Sequence, residues 1–105
     1  MSTLTVKKGR TVTVPVSLGR DVSGSEFFSD IRVGITSDTD LIASWEIVFD
    51  TDGTDGELIF TLDDSVTSLI EQSSGYMDIK EVKDGEPLPV EYNPIEVVFT
   101  GVITP

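Results

Sequence analysis

Apolar and polar residues alternate with a period of two in several short segments, and this pattern constrains the fold more than any other feature. In residues 11–18 every even position is Val or Leu, and the odd positions hold Thr, Ser and one Pro. Successive side chains of a strand point to opposite faces, so the segment is predicted to be a strand with one buried face. Pro15 lies on the outward set and cannot donate to a ladder, which predicts an edge strand or a bulged one.

Six further strands are predicted from the same alternation and from turn residues between them. Residues 4–6 and the strand after them are expected to meet as a hairpin or as one strand that switches sheets. A short helical turn is expected near residues 64–70, capped by Asp63 or Asp64. Two of the strands, separated by an Asp- and Gly-rich turn at 50–56, are predicted to form a hairpin. The six segments cover residues 4–6, 31–36, 41–49, 58–62, 76–82 and 95–103.

About seven strands with scarcely any helix predict an all-β fold. A chain of 105 residues is long enough for one hydrophobic core and too short for two. The sequence therefore predicts a single domain over residues 1–105, an antiparallel immunoglobulin-like β-sandwich. A small closed barrel is the competing arrangement, because alternation alone does not separate the two.

Charge is distributed unevenly along the chain. Residues 33–79 contain no Lys, Arg or His but eleven of the nineteen acids, whereas residues 1–20 hold four cations and no acid. The net charge of −12 argues against binding to nucleic-acid phosphates or to an anionic membrane surface. The asymmetry favours oriented contact with an acidic neighbour, although the same cations are also typical of solvated turns. The candidate interface residues are Lys7, Lys8, Arg10 and Arg20.

The inventory of reactive side chains is small. The chain has no His and no Cys, which removes Ser-His triads, thiol nucleophiles and the usual zinc sites, so we expect neither an enzyme nor a cofactor. A weak candidate for a Ca²⁺ loop is formed by Asp50, Asp52 and Asp55, because alternating carboxylates around a glycine turn are typical of such loops. Its spacing departs from the EF-hand pattern, and a polar hairpin loop is the favoured interpretation.

Three aromatic residues are ambiguous in the sequence. Trp45 shares a predicted strand face with Ala43 and Ile47, so a core position is favoured over an exposed stacking platform. Phe27 and Phe28 fall in a stretch predicted to be a loop. They are expected either to form an exposed anchor or to fold back as a lid over the edge of the sandwich.

The order of five segments resembles a known group of proteins. The segments are Leu-Thr-Val-Lys-Lys-Gly-Arg-Thr-Val-Thr-Val-Pro-Val (4–16), Asp-Ile-Arg-Val (30–33), Gly-Glu-Leu-Ile-Phe-Thr-Leu (56–62), Asp-Asp-Ser-Val-Thr-Ser-Leu-Ile (63–70) and Gly-Tyr-Met-Asp-Ile-Lys (75–80). In this order they resemble the small immunoglobulin-like structural proteins of tailed bacteriophages. The layout is similar to the N-terminal domain of upper baseplate proteins and to short head and tail accessory proteins of phages of actinobacteria.

The resemblance implies a non-enzymatic protein that occurs in many copies on the virion, and a homo-oligomer is compatible with it. Its expected partners are other virion proteins of the capsid, neck or tail. Upper baseplate proteins continue into long assembly regions after this domain, whereas this sequence stops at Pro105 after its last predicted strand. We therefore expect a stand-alone module that is synthesised in the host cytoplasm. The alternative is a carbohydrate- or protein-binding adhesion module of the same fold.

Overall fold

The structure, a computed structural model, describes residues 3–36, 38–88 and 94–101. Its described part contains eleven strands and one helical turn, so the predicted all-β fold is confirmed. The elements are β1 (Thr3–Lys7), β2 (Val12–Ser17), β3 (Ser25–Phe28), β4 (Asp30–Arg32), β5 (Leu41–Ser44), β6 (Glu46–Phe49), β7 (Glu57–Leu62), α1 (Asp64–Thr67), β8 (Ser74–Met77), β9 (Lys80–Lys83), β10 (Glu86–Leu88) and β11 (Ile95–Thr100).

The strands form three hydrogen-bonded sheets. The largest has the order β1-β11-β8-β4-β5, and two three-stranded sheets have the orders β2-β7-β6 and β10-β9-β3. All described pairs are antiparallel except the pair of β1 with β11, which is parallel. β1 and β2 belong to different sheets. Of the two arrangements expected for them, a hairpin or a strand that switches sheets, the second is therefore correct. In the described ladders the largest sheet ends in the edge strands β1 and β5 and the β2-β7-β6 sheet ends in β2 and β6, so the sheets form an open sandwich rather than a closed barrel.

The β10-β9-β3 sheet continues the five-stranded sheet beyond a bend. Phe28 of β3 lies opposite Lys80 of β9, and three residues further along each segment Ile31 of β4 lies opposite Met77 of β8. The two chain segments therefore keep one register through the break between their strands. The second layer of the sandwich is the β2-β7-β6 sheet.

The bend is fastened by hydrogen bonds between three segments. The backbone N–H of Trp45, which lies between β5 and β6, donates to the carbonyl of Ser29 at 2.9 Å. The hydroxyl of Ser29, which lies between β3 and β4, donates to the carbonyl of Asp78 at 2.6 Å. Strands that change sheets leave backbone groups without ladder partners, and these bonds satisfy such groups where three segments turn together.

One hydrophobic cluster joins the two layers. Trp45 is buried, as predicted, and its ring packs against that of Phe60 with the centroids 6.0 Å apart. β2 is an edge strand in the described sheet, and Pro15 lies exposed on its outer face, as the alternation predicted. The buried apolar residues are Val6, Val22, Ile31, Ala43, Trp45, Leu58, Phe60, Leu62, Ile70, Met77, Ile79, Val97 and Phe99.

Several predicted strand boundaries are wrong. The segment predicted over residues 31–36 ends at Arg32, and Val33 and Ile35 are 48% and 69% exposed. The strand instead extends toward the N-terminus as β3, which contains Phe27 and Phe28, so these two residues do not lie in a loop. Pairing with β9 decides this placement, because strand formation depends more on cross-strand partners than on local alternation.

Two long predicted strands are each divided in two. The segment over 41–49 breaks at Trp45 into β5 and β6, and the segment over 76–82 breaks into β8 and β9. β10 lies in a stretch that was predicted to be irregular. The last predicted strand, over 95–103, is described as β11, and its final two residues lie outside the described part of the chain.

Candidate functional site

The first three predicted interface cations lie at the end of β1 and on the turn that follows it, a segment of residues 7–10 that we call the cationic turn. Lys7 and Arg10 are exposed, and Lys8 is half-buried. The backbone N–H of Lys8 donates to the carbonyl of Thr100 at 2.8 Å, and the hydroxyl of Thr67 donates to the carbonyl of Arg10 at 2.6 Å. The turn is thus held from two sides, by β11 and by α1, so the backbone that carries these cations is fixed.

Carboxylates lie at the same end of the sandwich. Asp63 caps α1 by accepting from the hydroxyl and from the N–H of Ser65, and these hydrogen bonds lower the pKa of Asp63, so it is ionised at neutral pH. The next residue, Asp64, donates its backbone N–H to the hydroxyl of Thr11, 3.1 Å away, which places α1 beside the cationic turn. The positive field at this end is therefore partly compensated by neighbouring carboxylates.

Arg20 does not lie with the other three cations. Arg10 precedes β2 and Arg20 follows it, so at least the length of this six-residue strand, about 17 Å, separates them along the sheet. The guanidinium of Arg20 makes two hydrogen bonds to the carboxylate of Glu81, at 2.5 and 3.2 Å. The predicted four-residue patch is thus divided between two ends of the molecule, and Arg20 takes part in an internal ion pair.

Glu81 is the buried partner of that ion pair. It is 3% exposed, and it also accepts a hydrogen bond from the hydroxyl of Ser25 at 2.6 Å. The hydrogen bonds from Arg20, with that from Ser25, lower the pKa of Glu81 although burial acts in the opposite direction. A buried carboxylate with a lowered pKa is ionised at neutral pH, so Glu81 holds residues 20 and 25 against β9 through these hydrogen bonds.

The outer edge of β1 carries backbone groups that no described strand pairs. Lys8 donates to β11, and backbone groups of alternate residues point to the same side of a strand. Leu4 and Val6 therefore direct their backbone groups toward β11, and Thr3 and Thr5 direct theirs toward the open edge. Such an edge is a template for an added strand from another chain.

The Asp-rich loop is built by its own hydrogen bonds. Asp52 accepts from the N–H and the hydroxyl of Thr54, at 3.0 and 2.6 Å, and Asp55 accepts from the N–H of Glu57 at 3.0 Å. The N–H of Asp50 donates to the carbonyl of Glu57 at 3.0 Å and closes the hairpin of β6 and β7. Within the described ranges no group of three or more acidic side chains is placed to hold a metal ion.

Two glycines of the same loop are pressed against the segment that leads to Arg20. Gly53 and Gly56 have φ of 88° and 76°, a region that favours glycine, and both are buried. Their carbonyls accept from the N–H groups of Val22 and Leu18, at 2.8 and 2.9 Å. The loop thus serves as packing for residues 18–23, and the turn chemistry of its Asp and Gly residues accounts for its composition.

Phe27 and Phe28 differ in exposure. The ring of Phe27 meets that of Phe49 edge to face, with the centroids 6.5 Å apart, and packs against the core. Phe28 is 51% exposed. Of the two roles expected for this pair, Phe27 therefore closes the sandwich edge, and Phe28 is available as a surface anchor.

A concave surface of about 560 Å³ lies at the bend, beside Phe28. Tyr76, Asp78 and Lys80 line it together with Arg32. Arg32 is held in place by a 2.8 Å hydrogen bond to the carbonyl of Thr39. The sequence pattern did not reveal this surface, because it brings together residues of β4, β8 and β9 that are far apart along the chain.

The chain matches no family model and no curated protein. In the described part of the chain, no helix has the length and apolar character needed to cross a membrane. The class of the protein is therefore defined by its fold, a small all-β sandwich.

Proposed function

We propose that the protein is a non-enzymatic structural protein of a tailed-phage virion, a sandwich module that docks on the capsid, neck or tail. The order of sequence segments described above suggests the virion. The single structural observation that supports docking is the open edge of β1, followed directly by the cationic turn with Lys7 and Lys8. An edge strand supplies main-chain hydrogen bonds, and a cationic turn supplies orientation on an acidic neighbour.

Catalysis receives no support from the described side chains. The buried ionisable side chain, Glu81, is neutralised by Arg20, and the Asp-rich loop uses its carboxylates for turn geometry. A rigid module with an exposed edge suits a protein that needs only a surface to act.

Purified particles of the phage that encodes the chain give the direct test. Quantitative mass spectrometry should detect the protein at a fixed copy number. Hundreds of copies would indicate capsid decoration, and six to a few dozen would indicate the neck or tail. Absence from the particles would contradict the virion assignment.

Edge docking is tested by T5P. Thr5 is exposed and its backbone N–H is directed away from β11, so proline removes an outward donor without breaking a ladder bond. We expect T5P to fold, as judged by an unchanged urea midpoint, and to lose incorporation into particles. The matched variant T5V retains the N–H and should incorporate normally. Normal incorporation of T5P would show that the edge is not used.

Orientation by the cationic turn is tested by K7E/K8E. Lys7 ends β1 and Lys8 begins the turn, and the backbone of this segment is fixed, so charge reversal should weaken attachment while leaving stability nearly unchanged. The loss should be larger at low salt, where screening is weak. Attachment that is indifferent to these changes and to salt would exclude an electrostatic role for the turn.

A second candidate is a carbohydrate-binding adhesion module. The concave surface at the bend favours it, because Tyr76 and Phe28 provide aromatic surface and Asp78 and Lys80 provide polar groups for hydroxyls. A glycan array with wild type and Y76A distinguishes the candidates. Binding that is lost in Y76A supports the adhesion module, and a blank array counts against it.

A further inference from the structure

The outer face of the β2-β7-β6 sheet carries a row of apolar side chains. Pro15 lies opposite Ile59, and Ile59 lies opposite Val48, in the registers of the two strand pairs. Side chains directly opposite on neighbouring strands are adjacent on the same face. Pro15 is exposed, Ile59 is half-buried and Val48 is 51% exposed. We call these three residues the apolar row.

The apolar surface extends past the edge of this sheet. A groove of about 450 Å³ lies between the described edges β6 and β3, and its lining is mostly apolar, with two polar residues: Ile47, Val48, Phe49, Phe27 and Phe28, with Ser25 and Glu26. Phe28, which is 51% exposed, stands on the far side of this groove. The row and Phe28 together make a surface that spans four strands, which is more than isolated exposed residues provide.

Carboxylates flank the apolar row on both sides. Glu46 is the next outward residue of β6 in one direction. In the other direction Glu57 is the next outward residue of β7, and Asp50 donates its N–H to the carbonyl of Glu57. The sequences of β2, β6 and β7 contain no Lys or Arg. Beyond the groove, Lys80 of β9 lies opposite Phe28.

We propose that the apolar row is a docking surface for a protein partner that presents apolar side chains flanked by Lys or Arg. The apolar centre would supply the contact area, and the flanking carboxylates would select a basic rim. A second copy of this chain fits less well, because a two-fold contact brings the same carboxylates face to face on molecules of net charge −12. The surface belongs to a different sheet from β1, so this inference does not depend on docking through the β1 edge.

An NMR titration with two synthetic peptides tests the proposal. One peptide alternates Val and Lys, and its control alternates Ser and Lys at equal length and charge. The Val-Lys peptide should shift the amide signals of β2, β6 and β7 and bind more tightly than the control. V48S should weaken its affinity about tenfold. The matched variant L69S removes a side chain that is 78% exposed on another surface, and it should bind as wild type does.

Two charge variants test whether the carboxylates beside the apolar row, rather than the net charge of the protein, favour binding of the peptide. E46Q should lower the salt dependence of binding, whereas E86Q, which removes an exposed carboxylate from β10, should not. Equal affinity for the two peptides would overturn the proposal, because net charge alone would then explain binding. Shifts centred on the loop of Asp52 and Asp55 would overturn it as well. Dimerisation of the protein alone that V48S abolishes would assign the surface to a second copy instead.

Discussion

Replacing Arg20 with Ala leaves the buried carboxylate of Glu81 without its main partner. Removing one member of a fully buried ion pair costs about 3–5 kcal/mol. The Arg20 side chain is 40% exposed and Glu81 keeps its hydrogen bond from Ser25, so we expect a loss of about 2–3 kcal/mol at pH 7. R32A is the matched control. In the pair of Arg32 with Asp30, 3.4 Å apart, the carboxylate is 43% exposed, so this pair should contribute less than about 1 kcal/mol.

Acidification should reduce the difference in the free energy of unfolding between R20A and wild type. Hydrogen bonds from Arg20 lower the pKa of Glu81 below its ordinary value of 4.5, so Glu81 becomes protonated at a lower pH in the folded state than in the unfolded state. The stabilisation is therefore complete above pH 4.5 and is lost as the pH falls through the folded pKa. In R20A the guanidinium no longer lowers the pKa of Glu81, so protonating Glu81 destabilises the folded variant less than it destabilises wild type.

Urea unfolding monitored by the fluorescence of Trp45 measures both effects. Trp45 is the single Trp of the chain and is 6% exposed, so its emission reports on loss of the core. Wild type, R20A and R32A are compared at pH 7 and at about pH 3.5, below the ordinary range of Glu. An R20A cost below about 0.5 kcal/mol, or an equal cost at both pH values, would refute the assigned role of the ion pair.

Two further predictions concern the backbone. A Cβ on Gly56 would collide with the carbonyl of Arg20, so G56A should lower the free energy of unfolding by about 2–4 kcal/mol. Gly85 also has a positive φ but open space around it, so G85A should lower it by only about 1 kcal/mol. Coinciding urea midpoints for the two variants would contradict this prediction. S29A removes the buried hydroxyl at the bend and should lower the free energy of unfolding by about 1–3 kcal/mol. The control S44A removes an exposed hydroxyl and should lower it by less than about 1 kcal/mol. Equal hydrogen-exchange protection near the bend in the two variants would contradict the role assigned to Ser29.

The sequence predicted the elements that depend on local chemistry. Four such elements are present: a cap at Asp63, one of the two aspartates expected there, the hairpin of β6 and β7, the outward Pro15 and the buried Trp45. The breaks at Trp45 and near Asp78 were missed for a physical reason. A strand that bends between sheets keeps its inward and outward alternation, so the pattern of period two continues through the break.

The partner of Arg20 could not be predicted from the sequence, because the contact depends on strand pairing between distant segments. Glu81 lies 61 residues away, and only the pairing of β3 with β9 brings it beneath the segment that carries Arg20. Composition made Arg20 one of four early cations, and the fold then separates it from Lys7 and Lys8. The apolar row is comparable, since Pro15, Ile59 and Val48 become neighbours only through strand register.

The parallel pairing of β1 with β11 has a mechanical consequence. β1 starts at Thr3 and β11 ends at Thr100, at opposite ends of the same pair. A force that pulls these two residues apart slides one strand along the other, so the ladder bonds of five residue pairs resist together rather than opening one by one. We expect the domain to bear more tension along this direction than the same number of bonds would bear if the strands were peeled apart.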